Sequence, residues 1–105
     1  MIKELIENSM EFATFKELVE FLSKKLKLKL IYFNEGDSYA EFQTKDRKIF
    51  KITQTLEGMQ YSLKILDEDG VPVRVIPQSK FMDNDGWYIG DYILNVVEDI
   101  IENDL

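Results

Sequence analysis

Phe15-Lys16-Glu17-Leu18-Val19-Glu20-Phe21-Leu22-Ser23-Lys24-Lys25-Leu26-Lys27-Leu28-Lys29-Leu30-Ile31-Tyr32 is the stretch in which the hydrophobic period changes, and that change decides the fold class. Up to Leu26 the apolar residues Phe15, Leu18, Val19, Leu22 and Leu26 recur at helical spacing and form one stripe. From there Leu26, Leu28, Leu30 and Tyr32 alternate with Lys25, Lys27, Lys29 and Ile31, the two-residue rhythm of a strand. Just upstream, Thr14-Phe15-Lys16-Glu17 has the form of a capping box, in which hydroxyl and carboxylate satisfy exposed amide donors. The pattern predicts a helix from Thr14 to about Leu26, then a strand. Ile2, Leu5 and Ile6 share a face and suggest an earlier helical turn over residues 2–8.

Downstream the strand rhythm repeats. Asn34-Glu35-Gly36-Asp37-Ser38 is turn chemistry, and a second strand over about 39–44 carries Tyr39, Ala40 and Phe42. After Lys45-Asp46-Arg47, residues 48–56 set Phe50, Ile52 and Leu56 against Lys51, Thr53 and Thr55. Glu57-Gly58 reads as a two-residue hairpin loop, followed by Met59, Tyr61, Leu63 and Ile65 alternating with Gln60, Ser62 and Lys64. Asp67-Glu68-Asp69-Gly70 closes that strand, and Val71, Val73 and Val75 suggest a fifth. Pro72 and Pro77 lack amide donors, which assigns the fifth strand to a sheet edge. Residues 79–82 read as a short turn, Asp83-Asn84-Asp85 offers N-caps, and a final helix is predicted from about 86 to 102.

The expected fold is therefore α+β: a helix, an antiparallel β-meander of four to five strands and a C-terminal helix. The expected architecture is a two-layer sandwich with the helices on one face of the sheet. Its coarse order is shared with the double-stranded-RNA-binding fold, but order alone does not carry function. With 105 residues the chain is expected to be a single domain, 1–105.

Composition narrows the function classes. Hydrophobic residues make up 45% and charged residues 31%, a globular balance, and the formal net charge is −7. Cysteine and histidine are both absent, which excludes disulfides, thiolate nucleophiles, Ser-His and Cys-His catalysis, and thiolate or imidazole metal sites. A net acidic chain is a poor direct ligand for nucleic acid, which needs a surplus of Lys and Arg. The start Met1-Ile2-Lys3-Glu4-Leu5 fits no secretory signal, and the longest pure apolar run, Leu30-Ile31-Tyr32-Phe33, is far too short to span a membrane. A cytoplasmic location is the expectation.

The charge is segregated. Residues 1–80 carry thirteen basic and thirteen acidic side chains. Residues 81–105 carry Asp83, Asp85, Asp91, Glu98, Asp99, Glu102 and Asp104 with no Lys or Arg, so the whole excess lies in the last quarter. On a helical wheel Asp91, Asn95, Glu98, Asp99 and Glu102 fall within an arc of about 100°. Acids at a helix C-terminus oppose the macrodipole, and no Lys is near in sequence to relieve them. Two readings stand. The arc is a solvated face, or pairs with Lys24, Lys25, Lys27 and Lys29 across the fold. Alternatively its carboxylates, about one helical turn apart, imitate phosphates and occupy the basic groove of a nucleic-acid-binding protein. Trp87 and Tyr88, beside Asp83 and Asp85, either close the core or anchor an interface. The rest of the helix (Ile89, Ile93, Leu94, Val96, Val97, Ile100 and Ile101) is a wide apolar arc that implies a second contact, with the first helix or with another molecule.

Calcium-loop motifs fail on residue type; carboxylate pairs for glycoside cleavage are not excluded by residue type, but a 105-residue sheet-and-helix domain offers little room for a deep cleft. Aligning Gly86 with the glycine of a calcium loop puts Phe81 and Tyr92 at ligand positions, and aligning Gly70 puts Ile65 there. The five glycines form no phosphate-binding loop. No cofactor, metal or enzyme activity is expected. In general character (small, acidic, α+β, without catalytic chemistry) the chain is similar to phage or mobile-element proteins that inhibit host defence nucleases, such as acidic anti-CRISPR and anti-restriction proteins. It is also similar to bacterial immunity proteins that neutralise toxins. No residue motif carries either similarity, so no residue role is transferred. Together these features lead to the expectation of an inhibitor of a basic protein partner, with a homodimeric adaptor or toxin-neutralising module, binding through the apolar arc, as the alternative.

Overall fold

A computed structural model describes residues 11–58, 60–82 and 85–103. In chain order these form β1 (Glu11–Phe12), α1 (Phe15–Leu26), β2 (Lys29–Asn34), β3 (Tyr39–Gln43), β4 (Ile49–Glu57), β5 (Gln60–Leu66), β6 (Pro72–Pro77), α2 (Gln78–Phe81), β7 (Tyr88–Ile89) and α3 (Gly90–Asn103). Strands β2 to β6 make an antiparallel meander in the order β2-β3-β4-β5-β6, and β1 pairs with β7 in a separate two-stranded sheet. The α+β class, the five-stranded meander and the C-terminal helix are as expected. The suggested helical turn over residues 2–8 lies outside the described residues.

Helix α1 begins where its cap predicts. The Thr14 hydroxyl accepts the Glu17 amide at 3.1 Å, and Phe15, Leu18, Val19 and Leu22 turn into the core. It ends at Lys27, which adopts the left-handed conformation (φ 54°) and donates its N–H to the Ser23 carbonyl. The Leu28 amide also bonds that carbonyl, while the Ser23 hydroxyl donates to the Leu28 carbonyl. Lys24 and Lys25 sit in the last turn, where the macrodipole favours cations. Because a left-handed C-terminal position suits glycine, Lys27→Gly is expected to raise stability by about 0.5–1 kcal/mol in urea unfolding. A loss of stability would show that the Lys27 side chain contributes more than its backbone strain costs.

One face of the sheet supplies Ala40, Phe42, Phe50, Ile52, Leu63, Ile65 and Ile76. These join Leu18 and Leu22 of α1, Phe81 of α2, and Ile93, Val97 and Ile100 of α3 in one core cluster. Both long helices therefore cover the same face, and they pack against each other. Phe42 and Phe50 are opposite one another across β3 and β4, with ring centroids 5.0 Å apart.

Several alternations resolve differently from expectation. A bulge in β2 leaves Ile31 without a partner: Leu30 pairs with Phe42 but Tyr32 pairs with Glu41 and Phe33 with Ala40. The extra residue reverses the faces, so Phe33 rather than Tyr32 turns toward the helices and packs against the core. Leu56 lies at the far end of the β4–β5 hairpin opposite Tyr61 and is 59% exposed, not buried. The hairpin itself pairs Glu57 with Gln60, which places Glu57 in the ladder rather than in the loop. Positive φ at Gly58 (65°) suits that tight turn. In β6 the valines do not form one core row: Val73 packs against the core, but Val75 opposes Lys64 on the open face, and Ile76 opposes Leu63 on the buried one. The last helix starts at Gly90 instead of 86, because Tyr88 and Ile89 are held extended by pairing with Phe12 and Glu11.

The open face of the sheet carries Tyr39 beside Tyr32, with ring centroids 5.8 Å apart. Partial burial, then a 2.8 Å hydrogen bond donated to Glu41 and the charge of that carboxylate, push the Tyr39 phenol from 10.0 up to about 12. The unfolded chain therefore loses this proton first. The contribution is fully present below pH 10 and is lost as pH rises through about 12. Urea unfolding between pH 9 and pH 12 is expected to show falling stability, with a shallower fall in Tyr39→Phe; an identical slope in that variant would refute the assignment.

Candidate functional site

The described acids of the last quarter fall in two groups. Asp85 lies exposed in the turn before β7, followed by Gly86 at φ 84° and by Trp87, which is 43% exposed. Asp83 is outside the described residues. On α3, Asp91 is half-buried in the first turn, where the positive end of the macrodipole favours it, and Asn95, Glu98, Asp99 and Glu102 are exposed.

Tyr88 does not belong to this surface. Its side chain is 2% exposed and stacks on Phe81 at 5.7 Å between centroids, and burial raises its pKa above the usual phenol range. Of the two aromatic residues singled out, Trp87 faces solvent and Tyr88 closes the core.

The acidic face is compensated on both flanks by groups distant in sequence. Asp99 meets Arg74 of β6 at 3.4 Å, and its other carboxylate oxygen accepts the Asn103 side-chain amide at 2.9 Å. Both ends of the Arg74–Asp99 pair are largely exposed, so its contribution is small. On the opposite flank Glu98 and Glu102 line a cleft of about 600 Å³. The other wall carries Lys25, Lys27, Lys45 and Lys48.

Lys25 and Lys27 come from the end of α1. Lys45 and Lys48 come from the β3–β4 turn, which is held by the Thr44 hydroxyl accepting the Lys48 amide at 3.1 Å and by the Arg47 amide bonding the Thr44 carbonyl. The acids that oppose the α3 dipole are thus offset across the fold. Of the expected counter-charges Lys24, Lys25, Lys27 and Lys29, only Lys25 and Lys27 line this cleft, and Arg74, Lys45 and Lys48 were not among those expected. Their signal in sequence is only a turn and an edge strand, with nothing to say that the meander returns them to α3.

The apolar arc of α3 faces inward. Ile93, Val97 and Ile100 are fully buried, and Leu94, Val96 and Ile101 are half-buried against the core. The second contact implied by its width is supplied by α1.

The remaining candidates reduce to structure. Asp67 spends one carboxylate oxygen on the amides of Asp69 and Val71, both at 2.9 Å, the chemistry of a turn. Among the described residues no cluster of three or more acidic side chains is placed to hold a metal ion, and no helix is long and apolar enough to cross a membrane. Compared with known proteins, no family model matches this sequence, and no curated protein or solved structure matches it significantly.

Proposed function

We propose that the protein is a non-enzymatic interaction protein that binds a basic protein partner through the solvent face of α3, with Asp85 and Trp87 at its head. The observation that carries this reading is the placement of the charge. The excess of −7 resides in residues 81–105, and the described acids there are exposed or half-exposed on one helix and the turn leading to it.

Glu98 and Glu102 are one helical turn apart, about 5–6 Å, and Asp91 lies two turns before Glu98, so the face presents a row of anionic acceptors that suits a groove built for phosphates. The partner class is then a nucleic-acid-binding protein, a nuclease above all, and the mechanism is competitive occupation of its groove. This is the mode of action of an acidic inhibitor of the anti-CRISPR or anti-restriction kind. The Lys25, Lys27, Lys45 and Lys48 wall borders the strip and fixes its register, because a partner's cations are repelled on that side and attracted on the other. Long-range attraction speeds encounter and weakens with ionic strength. The test is capture of the partner on immobilised protein and its release by added duplex DNA; a partner that DNA does not displace would refute groove occupation.

A further inference from the structure

The two edges of the main sheet are built differently. β6 closes one edge with Pro72 and Pro77 at its ends, two residues that cannot donate a ladder hydrogen bond. β2 closes the other edge, holds no proline, and exposes Leu30, Ile31 and Tyr32 by 38%, 40% and 48%. Among the described residues no strand pairs with this edge, and such an edge offers N–H and C=O groups to a further strand. The lysine run just upstream contributes little charge to this edge itself. Lys24 and Lys25 are in α1 and Lys27 is its left-handed cap, which leaves only Lys29 in the strand.

The charges flanking this strand have a direction. Lys27 and Lys29 lie at its start, Glu35 and Asp37 just past its end, and all four are exposed. A strand that is basic at one end and acidic at the other is self-complementary when paired antiparallel, because each basic end meets an acidic one. We propose that β2 pairs antiparallel with β2 of a second copy of this chain, joining the two five-stranded sheets into one.

The bulge selects the register. Leu30 and Phe33 pair with Phe42 and Ala40 on the helix side, whereas Lys29 and Asn34 pair with Gln43 and Tyr39 on the open side. Directly opposed residues must share a face. The two-fold axis therefore passes between Ile31 and Tyr32, setting Leu30 against the partner's Phe33, and Lys29 against its Asn34 with Glu35 adjacent. This surface meets the cleft beside the acidic face of α3 at Lys27, and its variants leave Lys27, Asp91, Glu98 and Glu102 in place.

Sedimentation over about 10–500 μM tests the proposal, since so short an interface supports only modest affinity. The expected result is a reversible dimer. Ile31→Lys sets two like charges beside the axis and is expected to abolish it. Lys29→Glu alone is expected to weaken it by about three- to fivefold, the pair occurring twice in the dimer, and Lys29→Glu/Glu35→Lys to restore it. Circular dichroism of Ile31→Lys, a substitution at an exposed position, separates lost pairing from lost folding. A wild-type chain that stays monomeric throughout this range overturns the proposal, as does a dimer that neither Ile31→Lys nor Lys29→Glu changes.

Discussion

Phe42→Ala is expected to cost about 3–5 kcal/mol, a large part of the roughly 5–15 kcal/mol that holds a domain of this size. Phe42 is fully buried on β3, an interior strand, pairs with Leu30 and Phe50 on its two sides, and stacks on the Phe50 ring. Truncation removes its buried apolar area and leaves a cavity between sheet and helices that neighbouring rigid strands cannot close. Urea unfolding of the variant should show a much lower midpoint, or an unfolded chain at room temperature. Leu56→Ala is the matched control: this residue belongs to the same sheet and has the same alternation in sequence, but is exposed at the hairpin end, so its loss should cost no more than about 0.5 kcal/mol. Equal costs for the two would contradict the placement of the core.

The second large effect concerns the acidic face. Neutralising it with Asp91→Asn, Glu98→Gln and Glu102→Gln together is expected to weaken capture of the basic partner at least tenfold while the fold persists. Neutral amides are the more decisive choice. Reversal to Lys should also abolish binding, but it places new cations at Glu98 and Glu102 against Lys25, Lys27, Lys45 and Lys48, and another at the N-terminal turn of α3, where the dipole disfavours it. A thermal melt reads the fold and a salt-gradient elution reads the binding. Retained binding in the neutral triple variant, with an unchanged melt, would refute the role assigned to these carboxylates.

The fold was legible where one residue decides a local structure. Thr14 stated the start of α1, the change of period at Leu26 stated its end, and Pro72 and Pro77 stated that β6 is an edge. Reading failed where parity depends on a partner strand. Nothing in Leu30-Ile31-Tyr32-Phe33 reveals that Ile31 is skipped by the ladder, and that one skipped residue turns Tyr32 outward and Phe33 inward. The valines of β6 misled for a related reason: Val73 packs against the core, but Val75 lies on the face that no described helix covers.

The start of α3 was missed because β1 and β7 are each two residues long, too short for any period to show, yet their pairing keeps Tyr88 and Ile89 extended. At the candidate site the segregation of charge was plain in the sequence, as was the arc of acids on the last helix. Its counter-charges were only half visible, since Arg74, Lys45 and Lys48 approach α3 through the topology of the meander. Tyr88 and Trp87 are adjacent and chemically similar. Pairing of β7 with β1 is what turns one inward and leaves the other at the surface.

The most direct test of the central claim is a capture experiment on nuclease-treated lysate, with the immobilised protein challenged first by duplex DNA and then by a salt gradient. The account predicts a basic nucleic-acid-binding protein that is retained by the wild-type chain, displaced by DNA, and not retained by the Asp91→Asn/Glu98→Gln/Glu102→Gln variant. A captured protein that resists DNA and binds the variant equally well, or no captured protein at all, would contradict it and return the acidic face of α3 to a solvated surface balanced by Arg74 and the lysines of the cleft.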